Sequence, residues 1–319
     1  GDALFSGQPV LEAGYVLAER YEVISLLGEG GMGAVYKARD LSLDRVIALK
    51  TIRREYSGNR SILERFKQEL ILSTQVTHKN VVRIYDLGEA EGIKFITMEY
   101  IEGEDLRTLI HQRAKLPPEE VVDIVAQICR ALDAAHSVGV IHRDLKPQNV
   151  MRDQNGRVVV MDFGLARTLE GGGMTLSGAL VGTMEYMSPE QALSKPLDQR
   201  SDIFSLGLIF YELLTGQTPF RADSALASLI LRTQERAAPV TQFDSSIAGP
   251  LDRMVNRCLE REVGQRYQNA GELLSDLELW QGKGAGASGL QADRYAAVPI
   301  RRAGLWKRRW WVWGALGAA

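Results

Sequence analysis

The sequence is poor in cysteine, with two among 319 residues, too few for a disulfide framework. Cys129 in IVAQICRALDAAH and Cys258 in LDRMVNRCLER both sit in apolar helical patterns, which predicts buried free thiols in a reducing compartment. The four histidines lack metal-ligand spacing, which argues against zinc. No charge of one sign dominates. The 38 Lys and Arg nearly balance 40 Asp and Glu, so no charge field points to a polyanion and no nucleic-acid partner is expected. The first eighteen residues lack the charged-then-apolar order of a secretory signal. The chain opens on Gly1, so a natural start upstream is expected.

What is present is the balance of an ordinary soluble protein, 45% hydrophobic and 24% charged, in a length that suits one large domain or two lobes. Tyr21 to Ile52 reads as strands: YEVISLL, a glycine-rich turn, AVYKA, then VIALKTI. Asn59 to Val76 reads as a helix, with Ile62, Phe66 and Leu70 at every fourth position. VVRIYDLGEAEGIKFITMEY adds two strands around a polar turn. After Gly103 the pattern turns to long helices. Pro118, Glu119 and Glu120 open one that runs to about Ser137, and others are expected at Ser201–Thr215, Ala225–Glu235, Pro250–Glu260 and Ala270–Trp280. A strand-rich first third and a helical remainder predict an α+β chain of two lobes meeting at a cleft. QGKGAGASG, from Gln281, has the composition of a flexible linker.

Three stretches carry chemistry. Gly28-Glu29-Gly30-Gly31-Met32-Gly33 fits G-x-G-x-x-G, which in a chain this glycine-rich arises by chance with probability about 0.3 and could be a plain hairpin turn. Its place between two strands, with Val35 following, disfavours a dinucleotide fold and favours a backbone flap over phosphates. On the next strand, period-two alternation puts Ala48 and Lys50 on one face, a small residue leaving room for a flat base and an ammonium within reach of phosphates. A lysine at a strand end is ordinarily a solvated charge, but this one lies in an apolar stretch. A partly buried lysine requires a counter-charge, and Glu69 on the following helix is the natural candidate. The third stretch is His142-Arg143-Asp144-Leu145-Lys146-Pro147-Gln148-Asn149, followed by Asp162-Phe163-Gly164. Between them the Asn155-Gly156 turn predicts a hairpin that returns Asp162 to Asn149. Two oxygen ligands converging there are what Mg²⁺ on nucleotide phosphates requires, leaving Asp144 to orient an acceptor hydroxyl and take its proton. Turn-forming Asp and Asn are the plainer alternative.

Together these motifs resemble the eukaryotic-type protein kinases, and most of all their bacterial membrane-anchored serine/threonine branch, from about Tyr21 to Trp280. The resemblance implies a two-lobed kinase fold: a small antiparallel-sheet lobe with one main helix, then a larger helical lobe. It divides the chain into a tail (1–18), N-lobe (19–98), hinge (99–104), C-lobe (105–280), linker (281–305) and the start of a transmembrane helix (306–319). It implies ATP, with Mg²⁺ or alternatively Mn²⁺, and protein substrates. Gly28, Gly30 and Gly33 would cover the phosphates, and Lys50 paired with Glu69 would align them. Val35, Ala48 and Met151 would sandwich the adenine beside a gatekeeper Met98. Glu99 and Ile101 would offer hinge backbone groups, and Asp105 would contact the ribose. Asp144 would be the catalytic base, Lys146 would steady the γ-phosphate, and Asn149 and Asp162 would hold the metal. Ser188-Pro189-Glu190 stands where the family usually has A-P-E, and Glu190 would pair with Arg266. Asp202 would anchor the catalytic-loop backbone, and Phe204 replaces the usual Trp or Tyr as a packing variant. Lys146 and the Gly182-Thr183 pair match the serine/threonine type, with Thr183 placed to bond Asp144 and Lys146.

Regulation is expected through Arg143, whose charge beside the base would be met by phosphate on the activation segment, at Thr175 and Ser177, after autophosphorylation. The resemblance allows a homodimer, though the sequence carries no interface signature. Basic residues Arg301-Arg302 and Lys307-Arg308-Arg309 precede Trp310-Trp311-Val312-Trp313, the order at the cytoplasmic end of a membrane helix. That predicts a cytoplasmic kinase domain tethered to the inner (cell) membrane. An interfacial or partner-binding tail is the other reading, because the apolar stretch covers only about half a span. A pseudokinase is disfavoured by the filled catalytic positions, and a small-molecule kinase by the Ser-Pro-Glu segment and long C-terminal helices.

Overall fold

The computed structural model describes residues 4–5, 8–9, 11–30, 33–53, 60–163 and 184–284. Side chains at 4–9, 60–66, 69 and 283–284 lie outside the description. A short hairpin, β1 (Leu4–Phe5) and β2 (Gln8–Pro9), precedes a six-stranded antiparallel sheet. Its strands are β3 (Val16–Leu17), β4 (Tyr21–Gly30), β5 (Gly33–Asp40), β6 (Arg45–Ile52), β7 (Ile84–Ala90) and β8 (Ile93–Glu99), in the order β3-β4-β5-β6-β8-β7. Helix α1 (Arg60–Gln75) connects β6 to β7. A second sheet, β11-β10-β9, joins β9 (Gly103–Asp105), β10 (Val150–Asp153) and β11 (Val158–Val160). The remaining helices are α2 (Leu106–Arg113), α3 (Pro118–His136), α4 (Pro189–Ala192), α5 (Arg200–Thr215), α6 (Ala225–Gln234), α7 (Gly249–Cys258) and α8 (Ala270–Gly284).

Alternation along β6 divides the N-lobe into two apolar layers. Ile47 and Leu49 face one way and pack with Leu17, Tyr21, Val23, Tyr36 and Phe95. Ala48 and Ile52 face the other way with Leu70, Ile96 and Met98, as period two requires. The segment expected to be a tail contributes to the first layer: Leu11 and Leu17 are buried there, and the Leu11 amide donates to the Tyr36 hydroxyl at 3.2 Å. The expected switch to helices after Gly103 is delayed by β9, which pairs with β10 and places Asp105 beside Met151.

The C-lobe is built around α5, buried on nearly every side, against α3, whose N-terminus carries Pro118, Glu119 and Glu120 as the sequence predicted. Each fully buried Leu, Ile or Phe of such a helix contributes about 1.5–3 kcal/mol of transfer free energy. Gly207 lets α7 approach α5, since a Cβ there would lie 2.6 Å from the Cβ of Cys258. Cys129 and Cys258 are both buried free thiols, and burial raises the Cys258 pKa to about 12.

The lobes are joined where β11 meets the segment before β7. Val82 N donates to Val160 O at 3.0 Å, Val160 N to Asn80 O at 2.8 Å, and Asn80 Nδ2 to Val158 O at 2.6 Å. Arg157 adds a forked pair to Glu99 at 2.7 and 3.2 Å. Among the described residues, no helix is long and apolar enough to cross a membrane.

Candidate active site

The glycine hairpin is the end of β4 and the start of β5, with Gly28 opposite Val35 and Gly30 opposite Gly33. Gly33 has a structural reason to be glycine. Its φ is +151°, and a Cβ would stand 1.8 Å from Thr51 O. Gly28 and Gly30 have no such reason, because a Cβ at either meets open space and neither has a positive φ. Across β6, Val35 pairs with Lys50 and Ala48 with Met98. Val35, Ala48, Met98, Ile101 and Met151 belong to one apolar cluster that spans both lobes. These residues come from four strands and the segment after β8. Glu99 is committed on two sides: its amide donates to Arg83 O at 2.8 Å and its carboxylate holds Arg157. Asp105 caps α2, accepting from Thr108 N at 2.9 Å and Thr108 Oγ1 at 3.0 Å.

Lys50 reaches across the cleft. Its ammonium donates to Asp162 Oδ2 at 2.7 Å and is largely buried. The sequence pointed to Glu69 as the partner. Glu69 lies on α1, but its side chain is outside the described residues, and the ion pair on view joins β6 to the residue after Met161. Burial pushes the Asp162 carboxyl up, yet the Lys50 ammonium, helped by His142 and Lys146, more than offsets this and leaves its pKa below the usual carboxylate value.

The loop carrying Asp144 is held from behind by Asp202, a buried carboxylate near the start of α5. Asp202 Oδ2 accepts from His142 N at 2.8 Å and from His136 Nε2 at 2.8 Å, and Oδ1 accepts from Arg143 N at 2.9 Å. His142 Nδ1 accepts from Asp144 N at 3.3 Å while Nε2 donates to Met161 O at 2.8 Å, which fixes the tautomer protonated at Nε2. Its ring stands 4.7 Å from that of Phe163. One imidazole therefore links the Asp144 loop to the backbone before Asp162. Arg143 has φ +65° and Asp162 +54°, left-handed conformations that cost about 1–3 kcal/mol each and persist only when surroundings impose them. At Arg143 the constraint is two-sided, since its carbonyl accepts from Gln191 Nε2 at 2.7 Å while its amide is held by Asp202.

At the front, Lys146 pairs with Asp144 Oδ2 at 2.8 Å. Asn149 Nδ2 donates to Asp144 O at 2.8 Å and Oδ2 at 3.2 Å, bonds that use the amide nitrogen and not the Oδ1 acceptor. The expected hairpin forms, with Val150 opposite Val160 and Met161 N donating to Asn149 O at 2.8 Å. That bond puts Asn149 next to the residue before Asp162. The donor set is one carboxylate and one amide oxygen. It suits a hard cation that keeps waters and phosphate oxygens, and among the described residues no group of three His, Cys, Asp or Glu could cage a metal.

Behind the loop, Arg266 forks onto Glu190 at 2.7 and 2.8 Å, fully buried, with Ser201 Oγ adding a 2.6 Å bond. Phe204 is buried beneath the Arg266 guanidinium, 4.8 Å from it. Sequence reasoning missed His136, Gln191, Arg107 and Glu212. Ser188-x-x-Gln191 is a capping-box signature and could have flagged Gln191; the other three carry no local signal. Arg107 Nη1 donates to Glu212 Oε1 at 3.0 Å, and the Tyr186 hydroxyl donates to Glu212 as well. Gly31, Gly164, Thr175, Ser177, Thr183 and the basic-aromatic tail lie outside the described residues.

Comparison with known proteins agrees with this geometry. The family described as "Protein kinase domain" matches residues 21–276. Serine/threonine-protein kinase PknB of Mycolicibacterium smegmatis is 38% identical over 300 residues, covering 90% of this chain and 48% of that protein. PknB of Mycobacterium leprae is 40% identical over 266 residues, covering 82% and 43%. The chain spans less than half the length of these relatives. Among solved structures, the Mycobacterium tuberculosis PknI kinase domain superposes with a TM-score of 0.68 at 26% identity, over 85% of this chain and 99% of that one.

Proposed function

The chain belongs to the protein kinase domain family, and from that premise we propose that it transfers the γ-phosphoryl group of ATP to Ser and Thr hydroxyls of proteins. The observation that carries this reading is the convergence of Lys50, Asp144, Asn149 and Asp162, from separate stretches of chain, at one mouth of the cleft. The slot lined by Val35, Ala48, Met98 and Met151 accepts the adenine, and Asp105 retains carboxylate lone pairs for the ribose. Gly28 and Gly30, open on the side where a Cβ would project, leave backbone free to approach phosphates. Lys50 and Lys146 orient those phosphates. Asn149 and Asp162 would hold Mg²⁺ or Mn²⁺, which when bound would neutralise charge on the transferring group. Asp144, steered by Lys146 and Asn149, accepts the proton of the attacking hydroxyl. The serine/threonine choice rests on Lys146 and on the names of the relatives.

We extend the reading to regulation and place. Phosphorylation of Thr175 and Ser177 in trans would order the activation segment through Arg143. A Thr175→Ala, Ser177→Ala double variant that kept full activity would overturn this. The tail from Arg301 would tether the kinase domain to the cytoplasmic face of the membrane and serve signalling across it, and the resemblance allows a homodimer there. Flotation with anionic vesicles, before and after truncation at Gln281, decides the tether.

The test of the activity is intact mass after incubation with Mg-ATP, beside Asp144→Asn. Phosphates should accumulate on the parent alone, because a general base contributes about 10²–10⁴-fold. No added mass on either protein, with an acceptor protein also unmodified, would refute the reading.

A further inference from the structure

Arg232, on α6, touches neither the nucleotide slot nor the Asp144 loop, yet it is among the most deeply buried cations of the molecule, 3% exposed. Its Nη1 donates to the backbone carbonyls of Met184 and, at 3.3 Å, of Met187. Its Nε is buried without a partner, and no carboxylate among the described residues forms an ion pair with it. Burial draws its pKa down to about 10 against the opposing pull of Glu185 and Tyr186. A buried charge carries a desolvation cost, and an apolar residue of similar volume is often as stable or more so. Packing alone would be served by another leucine, like its neighbours Leu229 and Leu231. What the guanidinium adds is its hold on two carbonyls.

Those carbonyls belong to the stretch between the activation segment and α4. The same stretch is fastened again between them: Tyr186 O accepts from Ser205 Oγ at 2.8 Å, and the Tyr186 hydroxyl donates to Glu212. It continues into Ser188, which caps α4, and Gln191 of α4 holds Arg143 O one residue from Asp144. Met184–Met187 is therefore a shelf with its carbonyls at 184, 186 and 187 drawn into the C-lobe, joined at its far end to the loop that carries the base. Through Gln191 the shelf is tied to the segment that holds Asp144, where an acceptor hydroxyl would be received.

We propose that Arg232 is a positioning residue for the protein substrate. It fixes the height and orientation of the Met184–Met187 shelf, and so sets the KM for the acceptor separately from the machinery that handles ATP. The proposal rests on the kinase reading above.

The test compares the parent chain with Arg232→Met and Arg232→Lys, using a Ser/Thr peptide the parent phosphorylates, together with hydrogen exchange over residues 184–192. The Met variant should raise the acceptor KM about tenfold while the KM for ATP moves less than twofold. Exchange at 184–187 should quicken tenfold or more, with residues 142–150 unchanged. The Lys variant keeps a donor but loses the fork, and should fall between the two. Acceptor and ATP KM rising together, or an unmoved acceptor KM, would overturn the proposal. If the Met variant does not fold, the same split in the Lys variant decides. A parent that transfers nothing refutes the kinase reading instead, and the exchange rates then still report whether Arg232 holds the shelf.

Discussion

Replacing Asp202 by Asn removes a charge and one acceptor while keeping the shape of the side chain. In the parent its two oxygens accept from His142 N, His136 Nε2 and Arg143 N at 2.8–2.9 Å, all at a buried site. An asparagine can place its oxygen where Oδ2 was and keep two donors satisfied, but its NH₂ then faces the Arg143 N–H. The lost bond to a charged acceptor accounts for about 1.5–3 kcal/mol, and the two surviving bonds lose about half their strength on becoming neutral. With each bond at the lower end of that range the sum is about 3 kcal/mol, a midpoint drop of about 6–12 °C for a domain of this size. That leaves the protein folded at 25 °C but releases the restraint on the left-handed Arg143, so phosphoryl transfer should fall at least tenfold in protein that scanning calorimetry shows to be fully folded. Calorimetry and a transfer assay on the same sample provide both readings. Unchanged melting with unchanged transfer would refute the claim that Asp202 holds the loop. A lowered midpoint with parental transfer would show that the restraint stabilises the fold without serving catalysis.

Two further predictions concern the fold around the site. The pKa of Glu190 is lowered in the folded state: burial pushes it up, but Arg266 and Ser201 more than offset this. A depressed carboxyl stabilises the fold above its unfolded pKa and loses that contribution as pH falls through the folded one. The parent should therefore lose stability in urea titrations as pH drops below about 4.5. Glu190→Gln should be less stable by about 3–5 kcal/mol at pH 7, with the uncompensated Arg266 buried, and less sensitive to acid. Equal acid sensitivity in both would count against the pair. Gly33→Ala should distort the hairpin, whereas Gly28→Ala and Gly30→Ala should change the melting temperature by less than about 2 °C while weakening ATP binding. Equal destabilisation by all three would refute the distinction drawn from their surroundings.

Much of this protein was determined locally. Ala48 and Lys50 share a face because a strand alternates, and that holds wherever the strand lies. The Asn155-Gly156 turn returns Asp162 to Asn149 because its hairpin needs no distant partner, and Pro118 with its two glutamates starts α3 by its own backbone chemistry. The resemblance of the linear motifs then supplied the pairing of Glu190 with Arg266 and the anchoring by Asp202, both present in the structure. Tertiary structure decided which groups meet across large sequence separations. Lys50 meets Asp162, 112 positions away, a partner that sequence proximity does not suggest. β9 extends the strand region past Gly103 by pairing with β10, and His136 and Arg232 become restraints on loops that their own neighbourhoods do not announce. A repeating pattern encodes which face of an element is buried. The partner of a polar group inside that buried region is set by how the elements pack, and that information is spread over the whole chain.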